Sequence, residues 1–456
     1  LLLQCILIGG AEKYLCWIRA AVISCSARAS FQIVVQNQYG MHAFAPYAIH
    51  HVPITAALPA LAPDENAYVV FWWQRVPLGH LWMDAALRTA TDADLRMLML
   101  KAVAPALQYY FSNENAAVWQ AAFLAGNTGP LQALLESNAW LQTFSKPHTG
   151  SQKISVVICT RNRTQALEKC INALLQSSDT AFELIIVDNA PDDASTETLV
   201  QRFPSVRYVR EPRKGLDIAR NTGARNAAFD IVAYTDDDVT IEPNWIQNIK
   251  ACFADPKTAC VTGLVIPVEL QTESQYKFEK LWGFNKGYLP LVFNEAYFQK
   301  HLDSGVPVWD IGAGANMAFR KTLFEKIGYF DERLDVGAAG CSGDSEYWYR
   351  ALAEGFQCNY FPHLFVYHQH RRTKAELDHQ IFYYMRGQVA SLLIQYERYR
   401  HKGNLTRLYK ELPRWYKNRF RNKLRGRYSP DADTLFTEIR GCISGWRFYQ
   451  KHKQKR

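Results

Sequence analysis

Between Ile154 and Asp238 three apolar runs each end on polar residues, and this repetition constrains the fold more than any other feature. ISVVICTRNR covers Ile154–Arg163, ELIIVDNAP covers Glu183–Pro191, and DIVAYTDDDV covers Asp230–Val239. Short apolar runs separated by helix-like sequence read as buried parallel strands of an α/β unit. Open sheets of this kind gather ligands at the carboxyl ends of their strands. Here each run delivers its polar residues at that end, the third as three adjacent carboxylates.

A chain of 456 residues exceeds a usual single core. The expected organisation is an accessory α+β domain over residues 1–150, an α/β catalytic domain over 151–372, and a basic helical extension over 373–456. The polar segment SKPHTGSQK (Ser145–Lys153) marks the first boundary. Within the first part, Phe31–Gln36 and Tyr68–Gly79 read as strands, the second closed by a Pro-Leu-Gly turn, while 83–108 and 114–139 read as helices. Asp64, His80 and Trp82 stand out there, but this part shows no chemistry of its own and reads as a packing or docking domain. Residues 270–300 are aromatic and weakly periodic, which suits a surface crossing or an acceptor-side loop.

Ten cysteines form no CxxC pair and no cluster with histidine. That pattern excludes a disulfide framework or zinc site and points to reduced thiols in a cytosolic setting. The apolar start (LLLQCILIGG) is broken by Glu12, Lys13 and Arg19 before it reaches membrane-spanning length, and no basic leader precedes it. The expectation is a cytoplasmic protein, soluble or peripheral on the inner face of a membrane. Residues 401–456 hold 16 Lys or Arg against 4 Asp or Glu, although the whole chain carries only +9. Aromatics interleave with this charge (Arg414–Tyr428), which suits an anionic membrane surface better than nucleic acid.

Asp236, Asp237 and Asp238 are costly together unless hydrated, hydrogen-bonded or neutralised by a cation. In an extended stretch Asp236 and Asp238 converge while Asp237 points away. Mg²⁺ or Mn²⁺, with diphosphate oxygens completing its sphere, would satisfy them. Asp188 can accept hydrogen bonds from a ribose or base, and Arg220, with Lys214 second, can offset phosphate charge. Asp344 follows a glycine-rich loop at a helix start, with Glu346 close behind, and is a candidate proton acceptor. His368 and His370 share one side of an extended stretch and precede Arg371 and Arg372. The absence of GxGxxG after the first strand, of GxxxxGK[ST] and of GxSxG argues against dinucleotide oxidoreductases, P-loop ATPases and serine hydrolases.

CTRNR (Cys159–Arg163), VDNAP (Val187–Pro191), GLDIARNTG (Gly215–Gly223), TDDDV (Thr235–Val239), GANMAFRK (Gly314–Lys321), GYFDE (Gly328–Glu332), GDSEYWYR (Gly343–Arg350) and HQHRR (His368–Arg372) occur in the order seen in family 2 glycosyltransferases. The stretch 153–372 resembles that family, including its bacterial glycan-assembly members. The resemblance implies a GT-A fold, a Rossmann-like and mostly parallel sheet flanked by helices. It also implies inverting sugar transfer from a nucleotide sugar, UDP- or dTDP-linked, to a glycan or lipid-linked acceptor. By the family pattern Thr160, Arg161, Asp188, Arg220 and Asp236 lie at the nucleotide. Asp236, Asp238 and His368 are implied metal ligands, Asp344 the catalytic base, and Asn316, Glu346 and His370 secondary or acceptor-side positions. One departure is Gly343, where many members carry an acid before the base. The alternatives are a nucleotidyltransferase, disfavoured because CTRNR lacks phosphate-loop glycines, and a non-catalytic glycan- or membrane-binding scaffold.

Overall fold

Every residue of Asn66–Trp73 is buried, so this strand needs cover on both faces. The computed structural model describes residues 44–454 apart from 60, 63–64, 88, 112–115, 144–151 and 426–432. The apolar start, the strand expected at Phe31–Gln36, Asp64 and most of the Ser145–Lys153 boundary therefore lie outside the described residues. Strands β1 (Tyr47–Pro53), β2 (Asn66–Trp73) and β3 (Val76–Met83) form a small sheet in that order. Alternation divides β2: Ala67, Val69, Phe71 and Trp73 share one apolar cluster with Val103 and Leu107 of the helix Asp92–Phe111. Tyr68, Val70 and Trp72 join the core of the main sheet instead, where the Trp72 ring meets Phe365 at 4.8 Å.

The single strand expected over Tyr68–Gly79 is a hairpin. Trp73 pairs with Val76, and the chain reverses at Gln74, whose φ is +51°. Pro77 lies on the sheet's edge strand beside a register shift, a place that tolerates a residue without an N–H. The helix expected from residue 83 starts at Asp92, because Met83 completes β3 and Thr91 with Asp94 caps the new helix. The 114–139 stretch divides into Ala116–Leu124 and Gly129–Ser137, with Gly126 at φ +87° between them.

The main sheet has nine strands: β4 (Ile154–Thr160), β5 (Phe182–Asn189), β6 (Val206–Glu211), β7 (Ile231–Asp236), β8 (Val239–Ile241), β9 (Thr258–Pro267), β10 (Leu291–Phe293), β11 (Asn316–Arg320) and β12 (Gln357–His368). Its core runs β7-β4-β5-β6 and is wholly parallel, as the buried runs require. β11 enters antiparallel between β7 and β9, and β12 lies parallel to β9. Helices Thr164–Leu175 and Trp245–Cys252 bury their apolar stripes on one face of this sheet. Helices Leu216–Asn226 and Gly343–Ala353 contribute to the core on the other.

Residues 270–300 are more regular than a surface crossing. Thr272 and Gln275 form a capping box, and the helix Glu273–Trp282 buries Phe278. Beyond the sheet, the long helix Lys374–Tyr399 is gripped by Leu435–His452. Gly441 and Gly445 allow that approach: a Cβ at 445 would lie 3.0 Å from the Arg386 carbonyl carbon, and closer to its oxygen.

Candidate active site

Register brings the ends of the three core strands together. Thr160 pairs with Asp188 and Cys159 with Asp236, so β4, β5 and β7 release their polar residues at one level. β8 then pairs Val239 with His368, which carries the end of β12 to the same place. Asp236, Asp238 and His368 consequently present ligand atoms all within 4.8 Å of one another. Asp237 turns away, accepting from Thr160 Oγ1 at 2.7 Å and Arg163 Nη1 at 2.5 Å.

The electrostatics of the cluster suit a cation. Burial and the neighbouring Asp238 push the Asp236 carboxyl up to about 7. No described group donates a hydrogen bond to its carboxylate. Burial also opposes charge on Asp238, yet His368 when protonated, and Arg163 at any pH, hold it below its ordinary value. Arg163 Nη2 meets Asp238 at 2.6 Å, His368 Nε2 at 3.4 Å and Arg371 Nη1 at 3.8 Å. Burial lowers His368 to about 4, leaving a neutral imidazole as ligation requires. Its Nδ1 faces His370 Nδ1 at 3.2 Å, and His370 Nε2 reaches Glu279 at 2.9 Å. Two carboxylates and a neutral imidazole, backed by a histidine–glutamate pair, fit Mn²⁺ or Mg²⁺.

A cavity of about 2080 Å³ runs from this cluster past Asp344 to the C-terminal helices. Asp344 sits in the first turn of Gly343–Ala353, where its Oδ1 accepts from Ser345 N at 2.6 Å. Burial and Asp335 raise its pKa, while Arg220 pulls the other way. The result is a carboxyl with increased proton affinity facing the cavity, a useful property for a base.

The expectation for Arg220 needs correction. It lines the cavity as a phosphate partner would, but its guanidinium is buried between Asp217 (3.0 Å) and Asp335 (2.6 Å) and already paired there. Gly314 leaves room for it: a Cβ there would stand 2.7 Å from Arg220 Nη2 and 3.0 Å from Asp344 Oδ2, so both ends would have to shift. Arg220 thus acts on the carboxylate cluster around Asp344. The Gly343 departure has a physical counterpart here. A Cβ at 343 would lie 2.5 Å from Asp217 Cγ, so the Asp217 carboxylate occupies the space an acidic side chain before the base would need.

The secondary positions separate clearly. Glu346 is fully buried and pairs with Arg350 at 2.9 Å, away from the cavity lining. Asn316 is a buried brace: its amide donates to Leu264 O (3.1 Å) and Leu364 O (2.9 Å) and accepts from Trp245 Nε1 (2.9 Å). Neither of these two faces an acceptor, and His370 supports His368 from behind. Thr160 and Arg161 line the cavity, the latter held by Ala190 O and Asp192. Asp188 lies below it, accepting from Tyr208 at 2.9 Å, with its Oδ1 buried and unpartnered. The sequence reading passed over Arg163 within a quoted motif, and over Asp217, Glu279 and Asp335, which no local pattern marks.

A nucleotide-type sheet with a parallel core, an Asp/Asp/His cluster at its strand ends and a half-buried carboxyl across one cavity define a GT-A-like transferase. The chain matches the glycosyl transferase family 2 model over residues 155–328. It is 25% identical over 185 residues to the glucosyl-dolichyl phosphate glucuronosyltransferase of Haloferax volcanii, covering 39% of this chain and 56% of the relative. The pre-mycofactocin glycosyltransferase of Mycobacterium tuberculosis is 26% identical over 247 residues, covering 53% and 48% respectively. The chain spans about half the length of these curated relatives. A solved mannosyltransferase of Pyrobaculum calidifontis, in complex with GDP-Man and Mn²⁺, aligns at 17% identity and TM-score 0.43 over 73% of this chain and 97% of that one.

Proposed function

We propose that the chain transfers a sugar from a nucleotide-sugar donor to a hydroxyl of a glycan or lipid-linked acceptor, with inversion. The observation that carries this reading is Asp344 lining the same cavity as the Asp236, Asp238 and His368 cluster. Thr160, Arg161 and Asp188 lie at the nucleoside end of the donor, UDP- or dTDP-linked. Asp236, Asp238 and His368 would hold Mn²⁺ or Mg²⁺, which offsets charge on a leaving nucleoside diphosphate. Asp344 takes the proton from the acceptor hydroxyl as its oxygen attacks the anomeric carbon from the face opposite the leaving group. Arg220 and Asp335, packed against one another, set the proton affinity of Asp344. Inversion makes a β-linked product from an α-linked donor.

Support for a lipid-linked acceptor comes from the Haloferax relative, named for a dolichyl phosphate substrate. No helix among the described residues is long and apolar enough to cross a membrane. The helix Leu435–His452 nevertheless exposes Phe436, Ile443 and Trp446 at helical spacing, next to Arg440 and Arg447. That surface supports peripheral attachment to an anionic cytoplasmic membrane face. We read residues 1–150 as an accessory domain, 151–372 as catalytic and 373–456 as the membrane- and acceptor-facing extension.

The test is a screen of nucleotide sugars for donor hydrolysis and transfer with Mn²⁺ and Mg²⁺. Asp344→Asn should keep metal-dependent nucleotide binding and lose transfer by about a thousandfold or more. Near-normal turnover in that variant would remove Asp344 from the mechanism.

A further inference from the structure

Beyond Asp344 the cavity changes character. Its far wall is built by the C-terminal extension, with Arg407 and Glu411 facing Trp309 and Lys286 from the catalytic domain. The side chains of Arg407 and Lys286 make no hydrogen bond and no ion pair with any described residue. The Arg407 guanidinium lies over the Trp309 ring at 4.2 Å, and its Nε is buried without a partner. Nearby acids do not neutralise these two cations: Glu411 is paired with Arg414 at 3.1 Å, and Asp310 stands beyond ion-pair distance of both. Burial pulls both cations below their ordinary pKa values; Asp310 offsets part of that for each, and Asp344 and Glu279 offset part for Lys286 without pairing with it.

The local backbone fixes this arrangement. Arg407 begins a π-helical turn, Arg407–Glu411, a distortion that recurs at functional sites. Its side-chain stem packs on Gly305, where a Cβ would approach Arg407 Cβ to 2.8 Å. Gly403 packs equally close to Leu302, so the extension is clamped to the catalytic domain just before Arg407.

Resting on the transferase reading above, we propose that Arg407, Lys286 and Trp309 form an acceptor subsite for an anionic group, a phosphate or a sugar carboxylate, carried beside the reacting sugar. A planar guanidinium held on an indole presents its remaining donors as a fork to an oxyanion. Trp309 offers its surroundings to the apolar face of a sugar ring. The phosphate would come from a lipid-linked acceptor and the carboxylate from an acidic glycan.

The experiment uses the full chain in EDTA, so that anions gain nothing from the Asp/Asp/His cluster. Quenching of tryptophan fluorescence is followed with p-nitrophenyl phosphate, p-nitrophenyl β-glucuronide and the neutral p-nitrophenyl β-glucoside. One anionic probe should bind at least about tenfold tighter than the glucoside, the value of one charge-assisted contact. Preference for the phosphate identifies a phosphorylated acceptor, and preference for the glucuronide an acidic glycan. Arg407→Gln should reduce the preference to about threefold or less, and Arg407→Lys should restore part of it. If Arg407→Gln melts well below the wild type, Lys286→Met reports the same loss. Equal binding of all three probes, or a preference that survives both Arg407→Gln and Lys286→Met, overturns the proposal. Metal-dependent nucleotide binding is measured on the same wild-type preparation: its absence sinks the donor-site reading while an anion preference still stands.

Discussion

Replacing Gly343 with alanine sets two effects against each other. Gly343 is the first residue of its helix and does not use a positive φ. Helix propensity alone therefore favours alanine, by at most about 1 kcal/mol. Packing opposes it. The new Cβ would stand 2.5 Å from Asp217 Cγ and closer still to Oδ2, so a contact needs roughly 1 Å of retreat from a buried carboxylate. Asp217 Oδ1 is held by Arg220 at 3.0 Å, and Arg220 is held by Asp335 at 2.6 Å, so the carboxylate retreats only by loosening that chain of ion pairs. Overpacking costs about 1–3 kcal/mol, and losing one partner of a buried ion pair costs about 3 kcal/mol more. The clash wins, and Gly343→Ala should lose at least about 2 kcal/mol in urea unfolding followed by tryptophan fluorescence. Transfer should fall as well, because Arg220 and Asp335 are displaced beside Asp344. The same substitution in an Asp217→Ser background should cost much less, giving a clear coupling in a double-mutant cycle. An unchanged or raised midpoint for Gly343→Ala would refute the reasoning.

Other expectations follow from single contacts. Glu346→Gln removes the charge partner of buried Arg350, so it should cost about 3 kcal/mol in unfolding assays while the pH profile of transfer keeps its shape; a shifted profile would return Glu346 to the chemistry. Burial lowers His363 to about 3 against an ordinary 6.5, so the unfolded chain binds the extra proton between those values and stability falls with acidification through that window. Its share is roughly 2 kcal/mol by pH 5; His363→Phe should flatten the pH 7 to 5 stability curve by that amount, and parallel curves would contradict it. Gly445→Val drives a side chain into the Arg386 carbonyl, so limited proteolysis should release the 435–452 helix faster, and unchanged protection would count against the glycine contact.

The donor half of the site was legible because it obeys local rules. Period and strand length located β4, β5 and β7, and alternation alone separated Asp237 from Asp236 and Asp238. The residues left His368 and His370 as equal candidates to join the aspartates, and choosing His368 took the resemblance, since the pairing of β8 with β12 that brings it to the cluster is not local. The partners of Arg220 were not legible, because Asp217 and Asp335 meet it through a helix and a distant loop. What separates Glu346 from Asp344 is burial that no local pattern carries: Glu346 pairs with Arg350 one turn along the same helix. The hairpin at Gln74 was hidden because both its strands are buried and apolar, so the sequence carries no polar break there beyond Gln74 and Arg75.

A Mn²⁺ titration read by EPR of the free ion tests the divalent-cation site at the strand ends. Wild-type chain should show one saturable site, weakened at least about tenfold by Asp238→Asn, since even outer contacts of a metal site are worth that much. Equal Mn²⁺ affinity in the two proteins would contradict the account.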